Sequence, residues 1–165
     1  MAIPEARLKR ATRARVLRGH PWVFRGELED FPEGIGSGEE VRLIDFGGNF
    51  VGRGFAHPGS ALVLRILTRD PKEPLDATFF ASRLRAAMER RKNLPQGEAM
   101  RVLSGEGDAL PGLTADLYAG HVVLQATTSG MDRHLPDILE AFRQVLKPRS
   151  VLARHDLRMR EREGL

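Results

Sequence analysis

From Glu39 to Thr68 the chain reads EEVRLIDFGGNFVGRGFAHPGSALVLRILT, a stretch that admits little but antiparallel strands. EEVRLIDF alternates apolar and polar residues through Val41, Leu43 and Asp45. Gly47-Gly48 predicts a two-residue hairpin turn, because both positions can take positive φ. NFVGRGFA then returns, with Gly52 and Gly54 marking a bulge or a close backbone approach. ALVLRILT is a third strand. With extended pieces near 5–10 and 21–29, these short strands predict a small β-barrel.

RDPKEPLD (69–76) is a polar, proline-bearing joint. It predicts two domains, 1–72 and 73–165. Asp76 is the expected N-cap of a helix over 77–93, with Phe80, Leu84, Ala87, Met88 and Arg91 on one stripe. AMRVLS reads as a strand, and GEGDALPG as a loop. LTADLY, Ala119-Gly120 and HVVLQATT form a hairpin. A second helix is expected over 132–146, with Leu135, Ile138, Leu139, Phe142, Val145 and Leu146 at helical spacing. Pro136 is tolerable only in its first turn, and Pro148 ends it. SVLARHD is a last strand, so the second half is α+β. The tail LRMREREGL reads either as a free polar tail or as the cut edge of a longer chain.

Charge narrows the function. Residues 1–25 carry seven Lys/Arg against one acid, a net of +6, whereas the remaining 140 residues carry a net of −2. The basic character is therefore N-terminal and points at phosphate; a solvated charged face is the plainer alternative. No apolar run approaches the 18 residues of a membrane span, and MAIPEARLKR is not a signal peptide. Cysteine is absent, so the chain has no disulfide frame and no thiolate nucleophile. A cytoplasmic protein is expected. The five histidines lack metal-ligand spacing, and no metal site is expected.

Three motifs invite chemistry. GIGSG (34–38) imitates a phosphate loop, but a strand rather than a helix follows, so it reads as a turn. SGEGDALPGL (104–113) brings the carboxylates Glu106 and Asp108 into a loop bent by Pro111-Gly112. A general acid/base pair would need a partner nucleophile, and none is evident; turn-shaping is the plainer role. GHPWVF places Trp22 and Phe24 on one face of a strand, where they are expected to fill the barrel core for at least one ring. Stacking on a nucleobase would need an exposed ring. His20 and His57, each before a proline, could stack on a base or simply form turns.

RVLRGHPWVFRGEL, GEEVRLID.GG.FVGRGF..P.S...RILT, GEGDALPGLTADLY...VVLQ...SG and R.REGL, in this order, resemble a bacterial family of 23S ribosomal RNA methyltransferases that use S-adenosylmethionine to make 5-methylcytosine. The resemblance implies a three-part protein. A PUA-like barrel binds RNA, a central domain of strand-strand-helix-strand-strand (EEHEE) order follows, and a Rossmann-like domain carries S-adenosylmethionine and a catalytic cysteine. This chain matches the first part and most of the second. The Rossmann-like methyltransferase domain is absent from it, and relatives continue past EGL into a further strand.

The expectation is thus the RNA-binding, substrate-presenting N-terminal part of a ribosomal RNA (cytosine-5-)methyltransferase, with 23S RNA as partner. The chain alone is expected to be inactive and to bind no cofactor, S-adenosylmethionine belonging to the parent. Lys9, Arg10, Arg13, Arg15, Arg18 and Arg25, with Arg53 and Arg65, are expected on phosphates, and His20 and Trp22 beside them. The resemblance places Glu106, Asp108, Pro111, Gly112 and Asp116 near the joint with the catalytic domain, framing the substrate. An unpaired strand near 150–156 predicts pairing with a second copy. Three alternatives stand: a free-standing PUA-type RNA-binding protein without catalytic activity, an acid/base enzyme using Glu106 and Asp108, and an adaptor with an exposed apolar patch on the second helix.

Overall fold

The computed structural model describes residues 3–10, 14–93, 99–156 and 158–165, the side chain of Ala14 excepted. They form two compact units, divided between Glu73 and Pro74.

The first unit contains β1 (Glu5–Leu8), a single helical turn α1 (Ala14–Leu17), β2 (Trp22–Phe24), a 3-10 turn (Arg25–Glu27), β3 (Leu28–Asp30), β4 (Glu40–Ile44), β5 (Phe50–Ala56) and β6 (Leu62–Thr68). The strands make one sheet in the order β2-β6-β5-β4-β1-β3. Its two edge strands are neighbours in sequence, joined only by Arg25–Glu27. That link spans roughly 14 Å at full stretch. A flat six-stranded sheet would hold its edges roughly 24 Å apart. The sheet must curl, and the expected barrel is a curled sheet whose edges share no ladder. Inside it pack Ala6, Leu8, Val16, Val23, Leu28, Val41, Leu43, Val51, Val63, Leu64 and Ile66.

Three local readings need correction. The β4–β5 connection is longer than Gly47-Gly48. Only Gly48 has positive φ (+87°), and the Asp45 carboxylate organises the turn by accepting from the amides of Gly47 (2.8 Å) and Asn49 (2.9 Å). The extended piece at 21–29 is two strands, because Glu27 turns back to accept the Phe24 amide at 2.8 Å. Trp22 and Phe24 do not fill the core. Val23 does, while Trp22 is half-buried and Phe24 is 38% exposed. Gly52 and Gly54 behave as read: the ladder shifts between Arg53 and Gly54, and both glycines lie against β6.

The second unit contains α2 (Ala77–Arg91), β7 (Ala99–Ser104), a 3-10 turn (Gly105–Asp108), β8 (Leu113–Tyr118), β9 (His121–Ala126), α3 (Ser129–Arg133), α4 (Leu135–Val145), β10 (Ser150–Ala153) and α5 (Arg158–Arg162). Asp76 caps α2 by accepting from the amides of Thr78 (2.9 Å) and Phe79 (3.1 Å). The sheet order is β10-β9-β8-β7, antiparallel except that β10 runs parallel to β9. α2 packs on α4. Phe79, Phe80, Leu84, Ile138 and Phe142 from these helices are buried, as are Leu103, Leu113, Val122 and Leu124 from the strands.

The helix expected over 132–146 is two helices. Thr128 caps α3, and Pro136 in the first turn of α4 lacks the amide that would continue one helix through His134. The tail is not a free polar segment. The Arg160 guanidinium is buried, donates to the Ala126 carbonyl at 2.6 Å and pairs with Asp132 at 2.9 Å. Glu163 accepts from the amide of Ser129 (3.3 Å) and its hydroxyl (3.2 Å). Among the described residues no helix is long and apolar enough to cross a membrane.

Candidate nucleic-acid interface

The basic residues of the first unit fall into groups. Around the Arg25–Glu27 turn, Lys9 donates its ammonium to the Gly26 carbonyl at 3.0 Å. Arg15 donates from one nitrogen to both Glu27 carboxylate oxygens (3.0 and 2.9 Å), meets His20 Nδ1 with the other at 2.8 Å, and lies 5.2 Å from the Phe24 ring centroid. His20 Nδ1 also faces the Trp22 amide at 3.1 Å. Both neighbours are donors, so Nδ1 is the acceptor. The His20 and Trp22 rings meet edge to face at 5.5 Å, and Arg65 is the cross-strand neighbour of Trp22. Arg25 donates to the Pro58 carbonyl at 2.6 Å and lies 5.2 Å from the Phe31 centroid.

Arg15, His20 and Trp22 therefore form one connected group, with Arg65 across the strand from Trp22, while Lys9 and Arg25 lie at the neighbouring turn against Gly26, Pro58 and Phe31. Lys9, Arg10, Arg18 and Arg25 are exposed. Arg53 stands apart: it pairs with Glu40 at 3.6 Å and donates to the Glu73 carbonyl. Arg13 lies outside the described residues. Arg15 is structural as well as basic, since its guanidinium is committed to Glu27 and His20.

Arg69 was not foreseen. It donates to the carbonyls of Val51 (3.0 Å), Val16 (2.9 Å) and His20 (3.1 Å), fixing α1 and the GHPW segment. These partners lie up to 53 residues away, beyond any sequence pattern. The turn aspartate Asp45 is also set by its surroundings: hydrogen bonds from the Asn49 side chain and the turn amides hold its carboxyl below the ordinary value.

In the second unit, Asp108 is 2% exposed. It accepts from Arg90 (2.5 Å), twice from Arg91 (2.9 and 2.7 Å), and from the Ser104 amide (2.6 Å). Burial pulls its carboxyl up, but the bonds from Arg91, Arg90 and Ser104 outweigh it and hold it below the usual carboxylate range. Its four acceptor sites are filled. A carboxylate so committed is a clamp tying the loop to α2; the raised carboxylate that the acid/base alternative needs is not Asp108. Glu106 is exposed and Pro111 buried. Gly112, at φ +86°, lies against Thr128, and its carbonyl accepts from the Thr127 amide at 2.8 Å. Asp116 sits farther along β8, bound by Arg101 at 2.9 and 3.0 Å. The loop thus gathers Asp108, Pro111 and Gly112, but not Asp116. None of the large exposed apolar side chains among the described residues lies on α4, where the adaptor alternative needs them.

Against this geometry, the PUA-like domain family matches residues 6–69. Ribosomal RNA large subunit methyltransferase I of Escherichia coli K12 is 33% identical over 153 residues, 91% of this chain and 39% of that protein. The protein of the same name from Shigella flexneri serotype 5b is 32% identical with the same coverage. A solved structure of a candidate SAM-dependent methyltransferase from Streptococcus mutans superposes with a TM-score of 0.77 at 20% identity, covering 92% of this chain and 41% of that one. A candidate methyltransferase complexed with SAH gives 0.75 at 21% identity, covering 93% and 40%. The chain spans about two fifths of the length of the curated relatives it matches. Residues 6–69 are a PUA-like domain, and the chain resembles part of a bacterial large-subunit ribosomal RNA methyltransferase along nine tenths of its length.

Proposed function

We propose that this chain is the RNA-binding, substrate-presenting N-terminal part of a cytoplasmic SAM-dependent ribosomal RNA (cytosine-5-)methyltransferase, and that its RNA is 23S ribosomal RNA. The observation that carries the reading is the basic and aromatic cluster on a PUA-like domain within a chain matched along 91% of its length to a ribosomal RNA methyltransferase. The first unit holds the RNA backbone through Lys9, Arg10, Arg18 and Arg25, with His20 and Trp22 beside the strand and Arg53 and Arg65 in supporting places. The second unit frames the target base through the clamped loop at Glu106, Asp108, Pro111 and Gly112. Single-base chemistry requires the target cytosine to leave its stack.

This reading places neither the methyl donor nor the nucleophile on these residues. The chain has no cysteine to attack the base. The crossover joining the parallel strands β9 and β10 opens at Ser129, whose amide and hydroxyl are taken by the Glu163 carboxylate. S-adenosylmethionine and the transfer step belong, in this reading, to the part of the relatives that the chain does not span, and the chain alone is inactive. The edge strand β10, with Leu152 60% exposed, is where a second copy would pair.

The test is the salt dependence of RNA binding. Replacing Lys9, Arg10 and Arg18 by alanine together removes three exposed cations that carry no ion pair among the described residues. Affinity is expected to fall and the log–log salt slope to drop by about 2, since each lost phosphate contact contributes about 0.7–0.9. Unchanged affinity and slope would remove this face from the RNA site.

A further inference from the structure

Phe46 belongs to none of the groups above. It sits in the β4–β5 turn with 54% of its surface exposed. A lone exposed apolar residue is ordinary; the surroundings of this one are not. The Asp45 carboxylate pins the turn through Gly47 and Asn49, including a 2.9 Å bond from the Asn49 side-chain amide. Arg7 donates to the carbonyls of Phe46 (3.4 Å) and Asp45 (3.5 Å). The ring is thus carried on a fixed backbone. The Arg10 guanidinium lies 5.4 Å from its centroid. Leu8, Lys9, Leu17 and Asp45 complete a recess of about 50 Å³, and Leu17 is itself 54% exposed.

The contrast with Phe24 decides which ring is available. Phe24 also has an arginine against it, but Arg15 is bound to Glu27 and His20. Among the described residues Arg10 has no hydrogen bond or ion pair and meets only the Phe46 ring, so no carboxylate neutralises its charge. An exposed ring, a free guanidinium and a neighbouring ammonium are the parts of a single-stranded nucleic-acid stacking site.

We infer that Phe46 is a stacking platform for an unpaired RNA base, with Arg10 and Lys9 meeting the phosphates of the same nucleotide. The inference rests on the RNA-binding reading above. A base on Phe46 is held by a π-face, so the site is tolerant of sequence and selects for single strands.

The probe is a fluorescein-labelled decauridylate titrated with the full 165-residue chain at several salt concentrations. Phe46→Ala is expected to weaken binding about tenfold and leave the salt slope unchanged, because no phosphate contact is lost. Phe46→Trp is expected to bind like the native chain. Arg10→Ala is expected to weaken binding and lower the slope by about 0.7. Equal affinity of Phe46→Ala and the native chain overturns the platform and leaves the RNA-binding reading standing. A native chain that binds no RNA overturns both. Should Phe46→Ala lose its native circular dichroism, comparing Phe46→Trp with Phe46→Leu decides: equal binding by these two also overturns the platform.

Discussion

Gly54→Ala is expected to destabilise the first unit severely. A Cβ at this position would lie 1.8 Å from the Arg65 carbonyl oxygen, 2.6 Å from its carbon and 2.8 Å from the Ile66 Cα. All three are backbone atoms of β6, so no side chain can swing aside. Relief requires β5 and β6 to separate, breaking the ladder that joins β2 and β6 to the rest of the sheet. Overpacking that side chains can absorb costs about 1–3 kcal/mol. Here the cost should exceed about 3 kcal/mol, a large share of the roughly 5 kcal/mol expected for a small unit. Gly59→Ala is the matched control, since a Cβ there meets nothing within 4 Å. It should stay within about 0.5 kcal/mol of the native chain. Urea denaturation followed by Trp22 fluorescence measures both. Equal midpoints for the two variants would show that the close approach of β5 to β6 is not what Gly54 provides.

Asp108→Asn is expected to be the most damaging single change in the second unit. The amide keeps one acceptor oxygen and loses the charge; its NH2 would oppose either Arg90 and Arg91 or Arg91 and the Ser104 amide, donors that now share one buried carboxylate. Breaking a buried pair by removing one partner costs about 3–5 kcal/mol. Arg90 is half exposed and can turn to water, so about 3 kcal/mol is the expected loss. The pH dependence follows from the direction of the shift. The folded carboxyl titrates below its ordinary 3.8, so its contribution is complete above that pH and disappears as pH falls through the folded value. The unfolding free energies of native chain and variant should therefore differ at neutral pH and converge in acid well below pH 3.8. A constant gap across that range would mean that Asp108 acts through shape rather than charge.

What could be read in advance follows how far each interaction reaches along the chain. β4, β5 and β6 were legible because alternation and glycine spacing are local, and Asp76 because a cap bonds amides two and three residues on. The orientation of GHPWVF was not. Alternation separates Val23 from Trp22 and Phe24 but does not say which side faces the core, and the tryptophan drew the wrong inference. The tail failed for a related reason. RMRERE looks like solvated charge, yet Arg160 and Glu163 find Ala126 and Ser129, each 34 residues earlier. In the interface, the +6 segment was plain, but its division into structural and uncommitted cations was hidden. Arg15 is spoken for by Glu27, twelve residues on, whereas Arg10 meets only the Phe46 ring among the described residues. Asp108 was legible as a turn former, not as the partner of two arginines on α2.

Photo-crosslinking of the 165-residue chain to 23S ribosomal RNA fragments carrying 4-thiouridine, read by mass spectrometry of the crosslinked peptides, tests the central claim most directly. The account predicts crosslinks in the first unit, in the peptides holding Lys9 and Arg10, His20 to Arg25, and Phe46. Crosslinks confined to residues 74–165, or none above those of an unrelated basic protein, would contradict it.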